Sequence, residues 1–447
     1  MPGAKFESGG EDDTNGHRGQ RPAQSEAETG LPHNLIVARW SRNRLDLAIV
    51  LTVAFICNFA YLYLSSGDFY YPDSFTYLTP ARSLLHGLGL LDDRGVAETL
   101  RTPGYPLLLA LFGARTMPII ILQHLLNVAL AIGIYLLVLF RSGRFPALMA
   151  SLLFALDVPT IHYANKVLTE TVFTVLLYVV FVLALHRPRP IAVGLLTGVL
   201  VLIRPIALLY FIALAVFFMV RRLPMRRVAL FVVMALLLPT AWAIRNRVRT
   251  GVFTVSSIGD INLLICRAAG ALAIEDEGNF RKAIGEEQKE LRDDADDEIQ
   301  EKLHIADATE LLPAVRARYF ADYAWGVIRE HPVSFLQLTI RGLLVNLFDG
   351  DWEAVWNTSQ VSPAVLELTF GAVPIVTFVL ATIGTIFLWR RDRAMALLIV
   401  LTAGYFIGIS AGGESESRFR VPVVPQLVIA AAMGVEAVRR GVALDAN

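Results

Sequence analysis

A carboxylate stands just outside the first long apolar run of this chain, in Tyr71-Pro72-Asp73-Ser74, and a basic motif follows it, Arg101-Thr102-Pro103-Gly104-Tyr105-Pro106. An acid at the lip of a membrane needs a reason, because ionisable groups near hydrocarbon are costly. Two uses fit Asp73. It can cap the helix that follows, since Asp is an ordinary N-cap residue. It can also act as a general base that takes a proton from an acceptor hydroxyl. The uses are compatible, because a helix N-terminus favours the ionised carboxylate. Phe75 to Leu85 reads as an amphipathic helix with Tyr77, Leu78, Ala81, Leu84 and Leu85 on one side, kinked or restarted at Pro80. Such a helix suits a membrane surface, where a lipid-borne substrate would be met. Asp92 and Asp93 read as solvated turn residues.

Glu170 opens a later apolar run in Leu168-Thr169-Glu170-Thr171, as a cap or a substrate contact, with Lys166 as its expected partner. His162 and Tyr163 lie in the same turn and could line the same cavity. Cations on the side of the chain that carries Asp73 form three groups: Arg204 before Pro205, Arg245 with Arg247 and Arg249, and Arg418 with Arg420. Guanidinium groups hold phosphate through paired hydrogen bonds. The competing use is snorkelling to lipid headgroups, and Glu414 and Glu416 could tie these arginines in ion pairs. Arg204 and Arg420 carry the phosphate assignment best. Tyr71, Arg101 and Tyr105 complete the expected substrate-binding set. A divalent ion shared by Asp73 and a substrate phosphate is compatible with this layout, yet no acids or histidines show ligand spacing. No phosphate-cradling glycine motif is present, which argues against cytosolic nucleotide chemistry.

The elements that must position these residues are membrane helices. The 447 residues are 55% hydrophobic with mean hydropathy +0.53, and the apolar residues come in long blocks. Spans are expected at roughly 45–64, 117–140, 146–160, 169–186, 190–203, 206–220, 228–244, 364–389, 394–411 and 421–438. Pro205 splits Pro190 to Val220 into a hairpin. The short loops holding Arg39, Arg42 and Arg44, Arg141 and Arg144, Arg187 and Arg189, Arg221 to Arg227, Arg390 to Arg393, and Arg439 and Arg440 all fall on one side. The positive-inside rule makes that side cytoplasmic, so both termini are expected there and Asp73 outside. The fold class is therefore an all-α integral membrane protein of about ten transmembrane helices with external amphipathic helices.

Four regions follow: a disordered tail over 1–40, an N-terminal transmembrane module over 41–244 with its first outer loop at 65–116, an extracytoplasmic helical segment over 245–363, and a C-terminal transmembrane module over 364–447. In the third, the acidic stretch Glu275 to Glu301 reads as a solvated helix pair in which Leu291, Ile299 and Leu303 are sparse among charges. Phe335 to Phe348 reads as an interfacial or half-inserted helix. The net charge of zero is uninformative, and no nucleic-acid partner is expected. Two cysteines, Cys57 and Cys266, indicate neither a disulfide framework nor a thiolate metal site.

Taken in order, several pieces resemble the GT-C superfamily of membrane glycosyltransferases. They are Pro72-Asp73-Ser74 with its helix, Arg101 to Pro106, Leu168-Thr169-Glu170, Ile203-Arg204-Pro205, Trp242 to Asn246 with Gly251, His331-Pro332, and Arg418-Phe419-Arg420-Val421-Pro422. The chain looks most like the bacterial branch related to protein O-mannosyltransferases and the aminoarabinose transferase. The resemblance implies a polyprenyl-phosphate sugar donor, transfer with inversion at the extracytoplasmic face of a bacterial inner membrane, and Asp73 as the base. It leaves the acceptor open among envelope glycan, lipid and protein. Asp73 is followed by Ser74 where the eukaryotic O-mannosyltransferases have a second acid, and their large carboxy-terminal lumenal domain is missing, which argues against protein mannosylation. The competing reading is a transporter or flippase of a lipid-linked or amphiphilic solute, with Gln123-His124 and Arg204 on its pathway.

Overall fold

The computed structural model describes residues 33–65, 67–186, 189–275, 279–350 and 363–445. Residues 1–32 of the expected tail lie outside this set, and the chain is already helical from His33. The unit Asp46–Asn447 holds every element that follows. Among the described residues every regular element is helical, apart from an isolated bridge between Leu91 and Ala97. A helix satisfies its own backbone polar groups, which hydrocarbon demands.

Among the described residues five helices are long and apolar enough to cross a membrane: Asn43–Leu64, Thr116–Ser142, Met225–Thr250, Gly371–Arg391 and Ser417–Gly441. Arg144–Ala155 and Val158–Ala164 together are apolar enough for one further crossing and are bent by 52°. The shorter apolar helices are Glu170–His186, Pro190–Ile203, Pro205–Val220, Pro332–Phe348 and Arg393–Ile409, and all but Pro332–Phe348 coincide with expected spans. Three boundaries differ from expectation. The span expected over 146–160 breaks at Asp157, whose carboxylate caps the next helix by accepting the Thr160 N–H (3.1 Å) and hydroxyl (2.5 Å). The seventh span continues through Pro239 to Thr250 and stops at Gly251, which is left-handed (φ 80°). Pro80 does not interrupt its helix, which is continuous from Ser74 to Leu85, although Leu85 is half exposed and lies off the buried face.

The expected break at Pro205 is present, and its cause is local. A residue before proline is driven out of the helical region. Arg204 accordingly takes φ −138°, ψ 119°, ending the Pro190–Ile203 helix. Nearby, the first loop folds on a small core of its own, built from Tyr77, Leu78, Ala81, Tyr105 and Leu109 with Ile119 and Leu168.

The acidic stretch behaves differently from expectation. It is one continuous helix, Phe280–Leu303, and Leu291, Ala295 and Ile299 form a buried stripe at helical spacing. They share a core with Phe320, Ala324 and Ile328 of the Pro313–Glu330 helix and with Leu264 and Ala268. Each large apolar side chain buried there contributes about 1.5–3 kcal/mol, enough to hold a helix whose other faces are charged. The Pro332–Phe348 helix buries Ser334, Leu338, Gly342 and Asn346 on one face and exposes Val333, Leu336, Ile340 and Leu344 on another.

Gly104 ties the first loop to the helix that ends at Arg204. A Cβ there would lie 2.6 Å from the Leu202 carbonyl oxygen, so only glycine allows this approach. Gly104→Val is expected to cost about 1–3 kcal/mol through overpacking, read as a lower thermal midpoint in detergent. An unchanged midpoint would contradict the close contact.

Candidate active site

Asp73 occupies the N-cap position of the Ser74–Leu85 helix, yet its side chain caps nothing. Its backbone is already helical (φ −70°, ψ −20°), and its carbonyl oxygen accepts both the Thr76 N–H (3.1 Å) and the Thr76 hydroxyl (2.6 Å). The preceding turn is closed by Ser74 Oγ, which accepts from the Tyr71 N–H at 2.9 Å. The carboxylate is therefore available, and two arginines take it. Arg101 Nη2 donates to Oδ1 at 2.7 Å and Arg418 Nη2 to Oδ2 at 3.0 Å. Burial alone would push the Asp73 carboxyl upward; Arg101 and Arg418 together outweigh it and hold the group below the ordinary aspartate value.

Each arginine is set by a different element. Glu98 Oε1 accepts the Arg101 N–H (2.8 Å), and Arg101 Nε donates to Thr76 Oγ1 (2.8 Å), with the guanidinium 4.7 Å over the Tyr77 ring. Arg418 sits in the 3-10 turn Ser417–Phe419, 5.0 Å over the Tyr71 ring. Its Nε donates to Glu170, so it bridges two carboxylates. Glu170 is the fully buried first residue of its helix, where the backbone dipole favours negative charge. The extended Arg204 brings Nη1 to 3.0 Å from Glu170 Oε1, without a hydrogen bond of proper direction. The result is a chain of alternating charges, Arg101, Asp73, Arg418, Glu170, Arg204. Glu416 adds a further contact, 3.8 Å from Arg418 Nη1, and accepts the Tyr71 hydroxyl at 3.1 Å.

Asp73, Arg101, Arg204 and Arg418 line a cavity of about 440 Å³, the size of a small-molecule site. One functional candidate in it escaped the sequence reading. Arg267, in the π-helical turn Leu263–Ala268, lines the cavity, donates to the Ile409 carbonyl (2.6 Å) and lies 3.4 Å from Glu414. Its available signal was the one used for the other arginines, a cation in a segment expected outside the membrane.

Other expectations divide. Tyr105 is buried behind the site, donating to Gln123 (2.8 Å) and meeting Tyr77 edge-on at 5.3 Å. Arg245 faces the loop rather than the cavity: it donates to the Glu98 (2.7 Å) and Leu90 (3.1 Å) carbonyls and stacks 4.5 Å over Trp242. Arg420 is not gathered with Asp73. Two residues apart in a 3-10 turn, side chains diverge by about 120°, so Arg420 turns to the Asn346 (3.2 Å) and Leu347 (3.0 Å) carbonyls and lines a separate cavity of about 270 Å³. Lys166 pairs with Asp68 (2.5 Å), not with Glu170. His162 bonds the Tyr61 hydroxyl (2.7 Å), and Tyr163 joins the first-loop core. Gln123 donates to the Ala164 and Lys166 carbonyls, and His124 sits between Asn58 and Asn165, so the polar pair a transport path would use is engaged in packing. Among the described residues no group of three or more His, Cys, Asp or Glu could hold a metal ion, and Asp73 and Glu170 are each paired with guanidinium.

Glu170→Gln removes the charge shared by two buried arginines and is expected to cost about 3–5 kcal/mol, visible as a large fall in thermal midpoint. A midpoint within a degree or two of wild type would contradict the network. For Asp73 the sign runs toward acid. A lowered folded pKa gives stability present above the unfolded value, about 4, and lost as pH falls through the folded value. Wild type should lose stability on acidification below about pH 4 more steeply than Asp73→Asn, and identical acid limbs would argue against the pairing.

No protein-family profile and no curated protein matches the chain. Among solved structures it is similar to the archaeal oligosaccharyltransferase AglB from Archaeoglobus fulgidus, in complex with an inhibitory peptide and a dolichol-phosphate. The similarity has 12% identity and a TM-score of 0.50, and covers 91% of this chain and 51% of that one. ArnT from Cupriavidus metallidurans bound to undecaprenyl phosphate is also similar, at 15% identity over 91% of this chain and 79% of that one, with a TM-score of 0.36. The chain spans about half the length of the archaeal enzyme and shares its all-helical membrane fold.

Proposed function

We propose that this chain is a glycosyltransferase that takes a hexose or pentose from a polyprenyl-phosphate donor and passes it, with inversion, to an acceptor outside a bacterial cell membrane. One observation carries the reading. Asp73 divides its two oxygens between Arg101 and Arg418 at the wall of a cavity that also receives Arg204. That is a carboxylate poised among cations suited to phosphate. The fold supports the donor class, since the archaeal enzyme was solved with a dolichol-phosphate.

A carboxylate paired with two arginines is a weak base, so the donor must change its surroundings. A lipid phosphate competes for Arg418 and Arg204 through charge-assisted hydrogen bonds. As Arg418 turns to phosphate, burial, the strongest influence on Asp73, is left less opposed, and its proton affinity rises. Asp73 then takes the acceptor hydroxyl proton while that oxygen bonds to the anomeric carbon from the opposite face. The bond from this carbon to the phosphate oxygen breaks, and the electron pair leaves on the lipid phosphate, stabilised by the arginines. Both termini are assigned to the cytoplasm on the basic loops. Envelope glycan, lipid and protein acceptors all satisfy this chemistry.

The test reconstitutes the protein in liposomes with a panel of polyprenyl-phosphate sugars. Asp73→Asn is expected to lower transfer by about 10²–10⁴-fold while undecaprenyl phosphate still binds. Near-normal turnover would remove Asp73 from the base role.

A further inference from the structure

A second cavity, of about 430 Å³, is lined by Thr76 and Glu98, the two residues that hold Arg101 at the wall of the first. One wall is the first loop, with Thr76, Thr79 and Pro80 from the amphipathic helix and Glu98 to Leu100 from the approach to Arg101. The opposite wall is the Pro313–Glu330 helix, through Arg316 and Phe320. The cavity is held open by design of the chain rather than by chance contact. Arg94 reaches across to donate to the Thr309 (2.9 Å) and Leu311 (3.3 Å) carbonyls. The Glu98–Leu100 backbone is staked from outside by Arg245, by the Ser257 N–H to Thr99 (2.8 Å) and by Ser256 Oγ to Leu100 (2.6 Å).

Arg101 links the two cavities. Its guanidinium lines the first cavity and holds Asp73, while its Nε bonds Thr76 and its N–H bonds Glu98, both of which line the second. The lining suits one kind of guest. Carboxylates (Asp92, Asp93, Glu98) and threonines offer acceptors to hydroxyl groups, and Phe75, Phe320 and Pro80 offer apolar surface to the C–H face of a sugar ring. Thr99 adds a side chain only 2% exposed whose hydroxyl has no hydrogen-bond partner. An acyl chain would leave these polar groups desolvated and unpaired, which is costly.

We propose that this cavity is the acceptor site and that the acceptor is a hydroxyl-rich carbohydrate. The inference rests on the glycosyltransferase reading and narrows its acceptor from three classes to one. A sugar hydroxyl that bonds Thr76 or Glu98 competes for the groups that hold Arg101, so seating the acceptor draws Arg101 from Asp73 and frees the carboxylate that receives its proton. Acceptor binding thus completes the base that donor binding begins to release. The bond made is acceptor oxygen to anomeric carbon, and the pair departs on the lipid phosphate as above.

The experiment uses the full chain in nanodiscs and two separate probes. The first is undecaprenyl phosphate alone, which tests the donor reading and reports on folding. The second is an array of mannan, galactan, arabinan and N-acetylglucosamine oligomers alongside serine- and threonine-rich peptides. Wild type is expected to retain at least one oligosaccharide class. Thr79→Arg, which fills the cavity, and Asp93→Lys, on an exposed turn, should each weaken that binding at least about tenfold while leaving undecaprenyl phosphate binding unchanged. Oligosaccharide binding that survives both variants, retention of peptides only, or no oligosaccharide bound by a wild type that binds undecaprenyl phosphate would each overturn the acceptor assignment. Failure of wild type to bind undecaprenyl phosphate would instead strike the donor reading.

Discussion

One buried guanidinium, Arg418, joins Asp73 from the first loop to Glu170 at the head of a distant helix, and the active-site architecture is organised around that bridge. Buried charges are tolerated only when each is paired, because desolvation costs several kcal/mol per ion. The arrangement therefore works as a whole: the pre-proline Arg204 and the loop-borne Arg101 are needed as terminal cations. The same requirement makes the site receptive. On the proposed reading, cations that must always have an anion would exchange carboxylate for phosphate when a lipid phosphate arrives, at little net cost in pairing.

Local backbone chemistry places these groups with few degrees of freedom. Pro205 forces Arg204 out of the helix, Gly104 lets the loop lie against Leu202, and Asp157 bends the span that ends near Tyr163. The Pro313–Glu330 helix and the first loop then line a second cavity, whose Thr76 and Glu98 hold Arg101. Donor and acceptor chemistry would thus meet at one residue, which holds the base until both substrates are seated.

Much of the fold was legible in the sequence, because long apolar blocks and prolines act locally. The helix after Asp73, the break at Pro205 and the general number of spans follow from periodicity and sterics alone. Residue choice within the site was less legible. That Arg418 and not Arg420 faces Asp73 depends on a 3-10 turn that periodicity does not reveal, and Lys166 found Asp68 because the loop folds back on itself. Arg245 looked like a phosphate ligand but serves the Glu98 backbone, since an arginine's partner is set by tertiary approach. The acidic helix misled for the same reason: its buried stripe of Leu291, Ala295 and Ile299 has meaning only beside Phe320 and Ile328.

The most direct measurement is a cryo-electron microscopy structure of the protein in a nanodisc with undecaprenyl phosphate. The account predicts the phosphate in the Asp73 cavity, hydrogen-bonded to Arg204 and Arg418, with Arg418 drawn away from Asp73. A phosphate seated at Arg420 or elsewhere, with Arg418 still bridging both carboxylates, would contradict it.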